Sequence, residues 1–266
     1  TGQMPLDHPD FHRISNATAQ GPASNPALVE KVAALNIALR HHSATDVLRA
    51  AIGEVPNLAL VSSFGAESVA LLHLASMVER DLPVLFIDTE MLFTETLVYQ
   101  HELTERLGLR NITILRAADI VARDPDGTLY QTHPDACCAL RKTGPLNAAL
   151  SGFDGWITGR KRFQSGIRSA LEFFEVEAGT DTAPARIKVN PLAFWNAGDV
   201  NEYITENRLP RHPLVARGFP SIGCAPCTSP VTSGEDPRAG RWRDRIKDEC
   251  GIHFANGEMV RTGAKI

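Results

Sequence analysis

The chain contains the apolar run Asn57-Leu-Ala-Leu-Val-Ser62, and directly after it the small, hydroxyl-rich run Ser63-Phe-Gly-Ala-Glu-Ser68. The first run has the length of a buried strand, and residues 67–80 have a helical pattern. The same strand pattern recurs at 83–87, 111–115 and 156–158. Strands that alternate with helices indicate a parallel sheet covered on both faces. The sequence therefore predicts an α/β fold with a doubly wound, mostly parallel sheet, whose ligands bind beyond the carboxyl ends of the strands.

Three segments are predicted along the chain. Residues 1–25 are polar and rich in Pro, Gly and Ser, which predicts a flexible N-terminal arm. Residues 26–228 form the predicted α/β domain, which begins with a helix at 26–41 that Asn25 caps. Residues 229–266, the C-terminal tail, have many turn residues and no core periodicity. We therefore expect the tail to be mobile.

Composition narrows the classes of function. The 266 residues are 43% hydrophobic with a formal net charge of −4, so no global basic field favours nucleic acid. No apolar run approaches the ~20 residues that span a bilayer, and none resembles a secretory signal. We expect a cytoplasmic protein without a nucleic-acid or membrane partner, and the sequence leaves a homo-oligomer open.

The five cysteines fall into three groups. Two of these are pairs, Cys137-Cys138 and Cys224-Ala-Pro-Cys227, and Cys250 stands alone. Disulfides would leave one cysteine over, and simple burial explains a paired pattern poorly. Zinc favours four thiolates, but vicinal cysteines chelate one small ion poorly, whereas they can reach two corners of a larger cube. The spacing favours an iron–sulfur site over zinc and leaves both open.

The remaining cysteine lies in Glu249-Cys-Gly-Ile-His253, between an acid and a histidine. Four thiols that can close an inorganic site and one left over predict a buried cluster beside a reactive cysteine.

Two further runs have the character of anion sites. The small residues at 62–68 would let backbone N–H groups approach an anion at a helix N-terminus, although a turn capped by serine explains them equally well. Gly159-Arg-Lys-Arg-Phe-Gln-Ser-Gly-Ile-Arg-Ser169 places four cations directly after a strand. Arginine suits such a site because its planar fork pairs with phosphate-like oxygens. Arg238 and Arg241 offer a second set in the tail, next to Trp242.

Together these features resemble the assimilatory adenylyl-sulfate (APS) reductases, the iron–sulfur branch of the sulfonucleotide reductases. The resemblance covers about residues 57–253. Its most specific marks are Cys137-Cys138-x-x-Arg141-Lys142, Gly223-Cys224-x-x-Cys227 and Glu249-Cys-Gly-Ile-His253. It implies the fold of the adenine-nucleotide alpha-hydrolase (PP-loop) type. The chain departs from the family pattern at the loop 62–68, at Asp88-Thr89-Glu90 and at Phe163.

The resemblance also implies roles for individual residues. Cys137, Cys138, Cys224 and Cys227 would bind a [4Fe-4S] cluster, and Lys142 would link it to the substrate. The candidate catalytic residues are Cys250, Lys142 and His253. The candidate substrate-binding residues are Ser62, Ser63, Phe64, Gly65, Glu67, Ser68, Asp88, Thr89, Gly159, Arg160, Arg162, Arg168, Arg238 and Arg241.

The implied reaction is thioredoxin-dependent reduction of APS to sulfite and AMP, through an S-sulfocysteine on Cys250, in sulfate assimilation and cysteine biosynthesis. One alternative is a reductase for the 3′-phosphorylated nucleotide (PAPS), or for both nucleotides; PAPS enzymes typically lack the four cluster cysteines. An iron–sulfur tRNA thiolase would need a Ser-Gly-Gly-x-Asp-Ser loop and a basic surface, and both are missing. A non-catalytic iron–sulfur or zinc sensor would leave Cys250 and the arginines without a role.

Overall fold

The structure is a computed structural model that describes residues 25–247 and 249–253. Its centre is a six-stranded sheet with the strand order β3-β2-β1-β4-β6-β5. The strands are β1 (Leu58–Ser62), β2 (Val84–Ile87), β3 (Ile112–Leu115), β4 (Gly155–Ile157), β5 (Phe174–Glu177) and β6 (Arg186–Val189). The long helices are α1 (Pro26–Ala38), α2 (Ala44–Glu54), α3 (Ser68–Val78), α4 (Thr94–Leu107) and α9 (Ala197–Glu206). The shorter ones are α5 (Ile120–Arg123), α6 (Leu129–Thr132), α7 (Pro134–Cys138) and α8 (Gly144–Leu150).

The order of the strands places the ligand-binding edge. β1 pairs in parallel with β2 on one side and with β4 on the other, and β6 continues parallel to β4. Only β5, at the edge, is antiparallel among the described strands. The chain moves outward from β1 to β3 and then returns to the other side of β1, so a crevice opens between the carboxyl ends of β1 and β4.

Alternation along the strands builds a core on each face of the sheet. Leu58 and Leu60 of β1 join the large cluster that includes α2 and α3, while Ala59 joins a smaller cluster with Leu150 and Trp156. Successive side chains of a strand point to opposite faces, so one short apolar run serves both cores. The predicted α/β class and the doubly wound, mostly parallel sheet are confirmed.

The structure describes the start of the predicted domain and part of the predicted C-terminal tail, but not the predicted N-terminal arm. Asn25 caps α1, and its side chain accepts the N–H of Leu28 at 3.2 Å. The predicted arm lies outside the described residues up to position 24. The described part of the tail packs on the domain, where Thr228 and Arg241 form an isolated bridge and Trp242 is buried. Mobility of the tail stays a prediction.

No helix within 25–247 and 249–253 combines the length and the apolar character needed to cross a membrane.

Candidate active site

A cavity of about 240 Å³ lies at the carboxyl ends of the central strands. Its walls come from the loop 62–68 after β1, from Thr89 after β2 and from residues 158–161 after β4. Residues 220–224 and the tail, including Cys250, complete the lining. The cavity therefore occupies the crevice that the strand order predicts for a ligand.

The loop 62–68 is held open by its own side chains. Phe64 adopts a φ of 49° and packs edge-on against Phe86, with ring centroids 5.1 Å apart. The Ser62 hydroxyl accepts the Phe64 N–H at 3.1 Å, and the Ser68 hydroxyl accepts the Gly65 N–H at 2.9 Å. A side chain on Gly65 would begin 3.3 Å from the Ile222 carbonyl oxygen, so the loop and the opposite wall approach closely here. The loop leads into α3, whose N-terminal dipole favours an anion.

Six cations line the cavity: Lys142, Arg160, Lys161, Arg168, Arg238 and Arg241. Four of them pair with carboxylates, since Arg238 lies 4.0 Å from Glu249 and three other cations make closer pairs. Arg160 contacts Glu175, Lys161 lies 3.0 Å from Glu67, and Arg168 lies 2.7 Å from Glu249. Burial lowers the pKa of Lys161, and the Glu67 charge opposes that shift. Cations outnumber carboxylates at the lining, which makes the cavity a site for an anionic ligand.

Of the four paired cysteines, Cys224 lines the cavity, and the other three lie within electrostatic reach of Cys224. Cys137 and Cys138 are the last two residues of α7. Cys224 directly precedes a single helical turn, Ala225–Cys227, and Cys227 is the last residue of that turn. All five cysteines are free thiols, and the Thr89 hydroxyl lies 3.2 Å from Cys224 Sγ. Burial raises the pKa of Cys138 to about 11 and also raises the pKa of Cys137 and Cys227. The Cys224 charge raises each of those three pKa values further, and its effect on Cys137 and Cys138 indicates that the two pairs lie near each other.

Within 25–247 and 249–253, no group of three or more His, Cys, Asp or Glu side chains could hold a single metal ion.

A π-helix, Ala139–Thr143, directly follows Cys138 and directs two cations differently. Arg141 is buried, and it donates to the Thr89 carbonyl and to Asp124, both at 2.8 Å. Lys142 instead lines the cavity. Burial lowers the pKa of Lys142, but the neighbouring thiols, Cys250 first among them, outweigh burial and the net pKa is raised. Such π-turns are frequent at functional sites.

The tail brings Cys250 to the cavity through contacts on both sides of it. On one side, the Glu249 carboxylate meets Arg168. On the other, Ile252 packs against the smaller core cluster and the His253 ring stacks on Trp156, with centroids 5.6 Å apart and planes 4° apart. Cys250 itself lines the cavity, as does Lys142. A thiol, the loop 62–68 at the N-terminus of α3 and a set of cations therefore line one cavity.

Comparison with known proteins identifies the family of this chain. A family model described as the phosphoadenosine phosphosulfate reductase domain matches residues 57–230. The chain belongs to this reductase family. An adenosine 5'-phosphosulfate reductase of Mesorhizobium japonicum is 41% identical over 98% of this chain and 98% of its own. A phosphoadenosine 5'-phosphosulfate reductase of Gloeobacter violaceus is 39% identical over 74% of this chain and 82% of its own.

Solved structures show the same family fold. A phosphoadenylyl-sulfate reductase from Candida auris, crystallised as a phosphate complex, is similar with a TM-score of 0.66 and 27% identity. The match covers 79% of this chain and all of that one. An FMN adenylyltransferase from Candida glabrata shares the fold alone, with a TM-score of 0.51, 16% identity and coverage of 79% and 76%. The predicted PP-loop type of fold is confirmed.

Most of the residues that the family resemblance implicates come together. Those that line the cavity are Ser62, Ser63, Gly65, Glu67, Ser68, Thr89, Lys142, Gly159, Arg160, Arg168, Arg238, Arg241, Cys250 and His253. Three others lie behind the lining. Phe64 packs in the core, the Asp88 carboxylate accepts from Arg116 at 2.9 Å, and Arg162 donates to the Leu171 carbonyl at 2.7 Å. Substrate contacts by all of these residues stay predictions for this member of the family.

Some lining residues are absent from the sequence-based set. Lys161 and Gln164 belong to the cationic run, and their pairing with Glu67 shows why they face the cavity. Glu249 stands beside Cys250 in the sequence, but its pairing with Arg168, 81 positions earlier, is a tertiary contact. Leu92 and Ile222 close the apolar part of the cavity, and no local signal singles them out.

Proposed function

We propose that the chain is a thioredoxin-dependent adenylyl-sulfate reductase, which converts APS to sulfite and AMP. The observation that carries the proposal is the position of Cys250 in the same cavity as the anion loop and six cations. The relatives named adenosine 5'-phosphosulfate reductase support it, and so does the family model. A sensor without catalytic activity would have no use for a half-buried thiol among these cations.

The chemistry runs in two displacements. The Cys250 thiolate attacks the sulfur of APS, the bond from that sulfur to the phosphate oxygen breaks, and AMP leaves with the electron pair. One thiolate of reduced thioredoxin then attacks Cys250 Sγ and expels sulfite, which takes the electron pair of the former S–S bond. The second thioredoxin thiol resolves the mixed disulfide and frees Cys250, so thioredoxin supplies both electrons.

The cations of the cavity would stabilise the negative charge that develops during this reaction. Arg168, Arg238 and Arg241 line the cavity and would bind the phosphosulfate. Charge on the leaving phosphate oxygen grows in the first displacement, and these cations would stabilise it. The raised pKa of Lys142 keeps its ammonium charged at neutral pH, between the four paired thiols and the cavity. A fixed cation in a largely enclosed space stabilises developing negative charge more strongly than one in water.

We propose that Cys137, Cys138, Cys224 and Cys227 hold a [4Fe-4S] cluster. The donor set fits, because it provides four free thiols in two neighbouring pairs, three of them buried and none with another evident role. When bound, the cluster supplies a fixed charge that orients Lys142, and no electron needs to pass through it. The five free thiols and a thioredoxin partner also fit a reducing compartment, so we infer a cytoplasmic place in sulfate assimilation and cysteine biosynthesis.

We further propose a preference for APS over PAPS. PAPS carries an additional 3′-phosphate, roughly −1.5 to −2 in charge at pH 7, which calls for an additional cation. Lys161 is engaged by Glu67 at 3.0 Å and by the Gly159 carbonyl at 2.9 Å. Arg162 is engaged by the Leu171 carbonyl and lies 4.1 Å from the Phe194 ring. Lys161 and Arg162, two cations of the run 159–169, are thus already occupied by this chain's own groups.

The test of the nucleophile is anaerobic mixing with APS, followed by mass spectrometry of the peptide that carries Cys250. We expect a sulfonate adduct on Cys250 in the wild type, which reduced thioredoxin removes as sulfite. Cys250→Ser is expected to bind APS and to lose both the adduct and turnover. An adduct on another cysteine, or turnover by the serine variant, would contradict the assignment.

The cluster is tested by iron, sulfide and zinc analysis of anaerobically purified protein. We expect about four irons per chain, as a cubane with four thiolate ligands requires, and none in Cys224→Ser/Cys227→Ser. Stoichiometric zinc without sulfide would instead identify a zinc site.

A further inference from the structure

The Glu249 carboxylate pairs with two arginines, Arg168 and Arg238, to which the proposed function gives the binding of an anion. Its Oε2 accepts from Arg168 Nη2 at 2.8 Å and lies 4.0 Å from Arg238 Nη2. Its Oε1 lies 2.7 Å from the same Arg168 nitrogen. Both side chains of the close pair are about nine-tenths buried, at 9% and 11% exposure. A carboxylate thus takes the place, at Arg168 and Arg238, that the proposed function gives to a phosphosulfate oxygen.

Glu249 differs from the other carboxylates that neutralise the cavity's cations. Glu175 lies on β5 and Glu67 lies in the loop 62–68, so both are fixed by the sheet and its connections. Glu249 lies in the tail next to Cys250, and it can withdraw without disturbing a strand. Among the described residues, it is the carboxylate at this cavity whose partner can be exchanged most easily.

The contact is also incompletely satisfied. Glu249 Oε1 is buried and has no hydrogen bond of good geometry, and His253 Nδ1, four residues later, is buried without a partner. Buried polar atoms without partners are costly and rare in native proteins, so each one calls for an explanation. Both residues line the cavity, so a carboxylate oxygen and a ring nitrogen of the tail are without hydrogen-bond partners at this site.

We propose that Glu249 is an internal substitute for the substrate's anionic group, which docks the tail until APS displaces it from Arg168. The pair holds Cys250 in the cavity before substrate arrives, and the arriving phosphosulfate competes with Glu249 for the same guanidinium. Glu249 is accordingly a positioning residue, which acts on Cys250 through Arg168. The inference rests on the proposed function, since it takes the phosphosulfate as the competing anion.

Glu249→Gln separates this role from a merely structural one, because it removes the charge and keeps the shape. In a Cys250→Ser background, which prevents turnover, we expect APS to bind about tenfold more tightly to the Gln variant, the scale of one charge-assisted hydrogen bond. With Cys250 present and no nucleotide, we expect iodoacetamide to alkylate Cys250 several-fold faster in the Gln variant. Loss of a structural contact alone would weaken binding instead of strengthening it.

The matched control is Glu235→Gln, which removes a carboxylate that pairs with Arg243 at 2.9 Å in the same tail, outside the cavity lining. It should change neither measurement. Glu249→Asp keeps the charge on a shorter side chain and should fall between wild type and the Gln variant, which provides the test should the Gln variant fold poorly.

Unchanged or weaker APS binding by Glu249→Gln, together with an unchanged alkylation rate, would overturn the proposal. If APS binds to neither Cys250→Ser protein, the proposed function fails, and the alkylation rates still decide whether Glu249 docks the tail.

Discussion

Thr96, which lines the cavity, is held from behind by His212. The two side chains meet at 2.9 Å through His212 Nε2, and His212 Nδ1 accepts the Leu214 N–H at 3.1 Å. The ring is therefore neutral, with its proton on Nε2. Burial lowers the pKa of His212 to about 4, against a small opposing effect of Glu95. The unfolded chain binds a proton near pH 6.5, so the folded state loses stability as the pH falls from about 6.5 toward 4.

We expect urea unfolding to reveal this loss. Each pH unit between the two pKa values is worth at most about 1.4 kcal/mol of unfolding free energy. His212→Gln should reduce the difference in stability between pH 7 and pH 5, while the exposed His42→Gln should leave it in place. An identical acid-side loss in His212→Gln and wild type would show that other groups cause it.

Glu67 gives a second prediction at this scale, on substrate choice. It holds Lys161 at 3.0 Å, and Glu67→Gln would free that ammonium for a further phosphate. We expect the ratio of kcat/KM for PAPS to that for APS to rise several-fold, since one hydrogen bond to a charged group is worth about 1.5–3 kcal/mol at most.

Glu172→Gln is the matched control, because Glu172 pairs with Arg162 at 3.1 Å without lining the cavity. Equal ratios in both variants would mean that Lys161 does not face the 3′-phosphate.

At the scale of elements, β4 depends on the absence of a side chain at Gly155. An added Cβ would lie 2.7 Å from the Ile187 carbonyl oxygen and 2.9 Å from Val55, so β4 could not keep its distance from β6. We expect Gly155→Ala to cost about 1–3 kcal/mol of unfolding free energy, as overpacking usually does. A Cβ added at Gly53 in α2 would have no atom within 4 Å. Gly53→Ala should therefore raise the free energy of unfolding by about 0.5–1 kcal/mol. Urea midpoints that move in the same direction would refute this contrast.

The elements also show what sequence patterns predict well. Short apolar runs predict β1, β2 and β3 to within a residue or two, because those strands present hydrophobic side chains to two cores. The pattern does not predict β5 and β6. Arg186 and Lys188 alternate with apolar residues in β6 and would be taken for surface positions. They are buried because Glu177 pairs with Arg186 at 2.9 Å and the Trp156 ring lies 4.5 Å from Lys188 Nζ.

For the molecule as a whole, the tail joins the paired thiols to the cavity. The backbone N–H of Trp242 donates to the Cys227 carbonyl at 3.0 Å, and the backbone N–H of Ser229 donates to the Gly240 carbonyl at 2.9 Å. A Cβ on Gly240 would lie 2.0 Å from the Ser229 carbonyl oxygen. We expect Gly240→Ala to lower iron content and turnover at least tenfold while the domain still unfolds at the wild-type temperature.

Gly152→Ala is the control, since nothing lies within 4 Å of Gly152. Iron per chain after gel filtration and sulfite release provide the measurements. Full iron content and turnover in Gly240→Ala would show that the tail does not need this close approach.

The sequence predicts which residues supply the chemistry of the site, but it does not predict the tertiary contacts that bring the tail to them. Cysteine spacing, the loop 62–68 and Lys142 carry recognisable chemistry, and the structure brings them together. The tail's packing has no such signal, since it depends on single contacts: Trp242 lies 4.6 Å from Arg241 and 5.5 Å from Lys247, and His253 stacks on Trp156. Isolated contacts between distant residues produce no periodicity, which is why the pattern predicts only a mobile segment there.

The number of residues in the π-helix Ala139–Thr143 determines the direction in which Lys142 points. Each residue of an α-helix turns the chain by about 100°, and a π-turn accommodates one additional residue between two α-helical segments. Deleting Ala139 would remove that additional residue, while the buried Leu146 and Leu150 keep α8 anchored in the core. Lys142 would then rotate relative to Cys137 and Cys138, and it would leave the cavity. Deletion of this one codon would thus abolish activity, although every side chain that lines the site is still present in the chain.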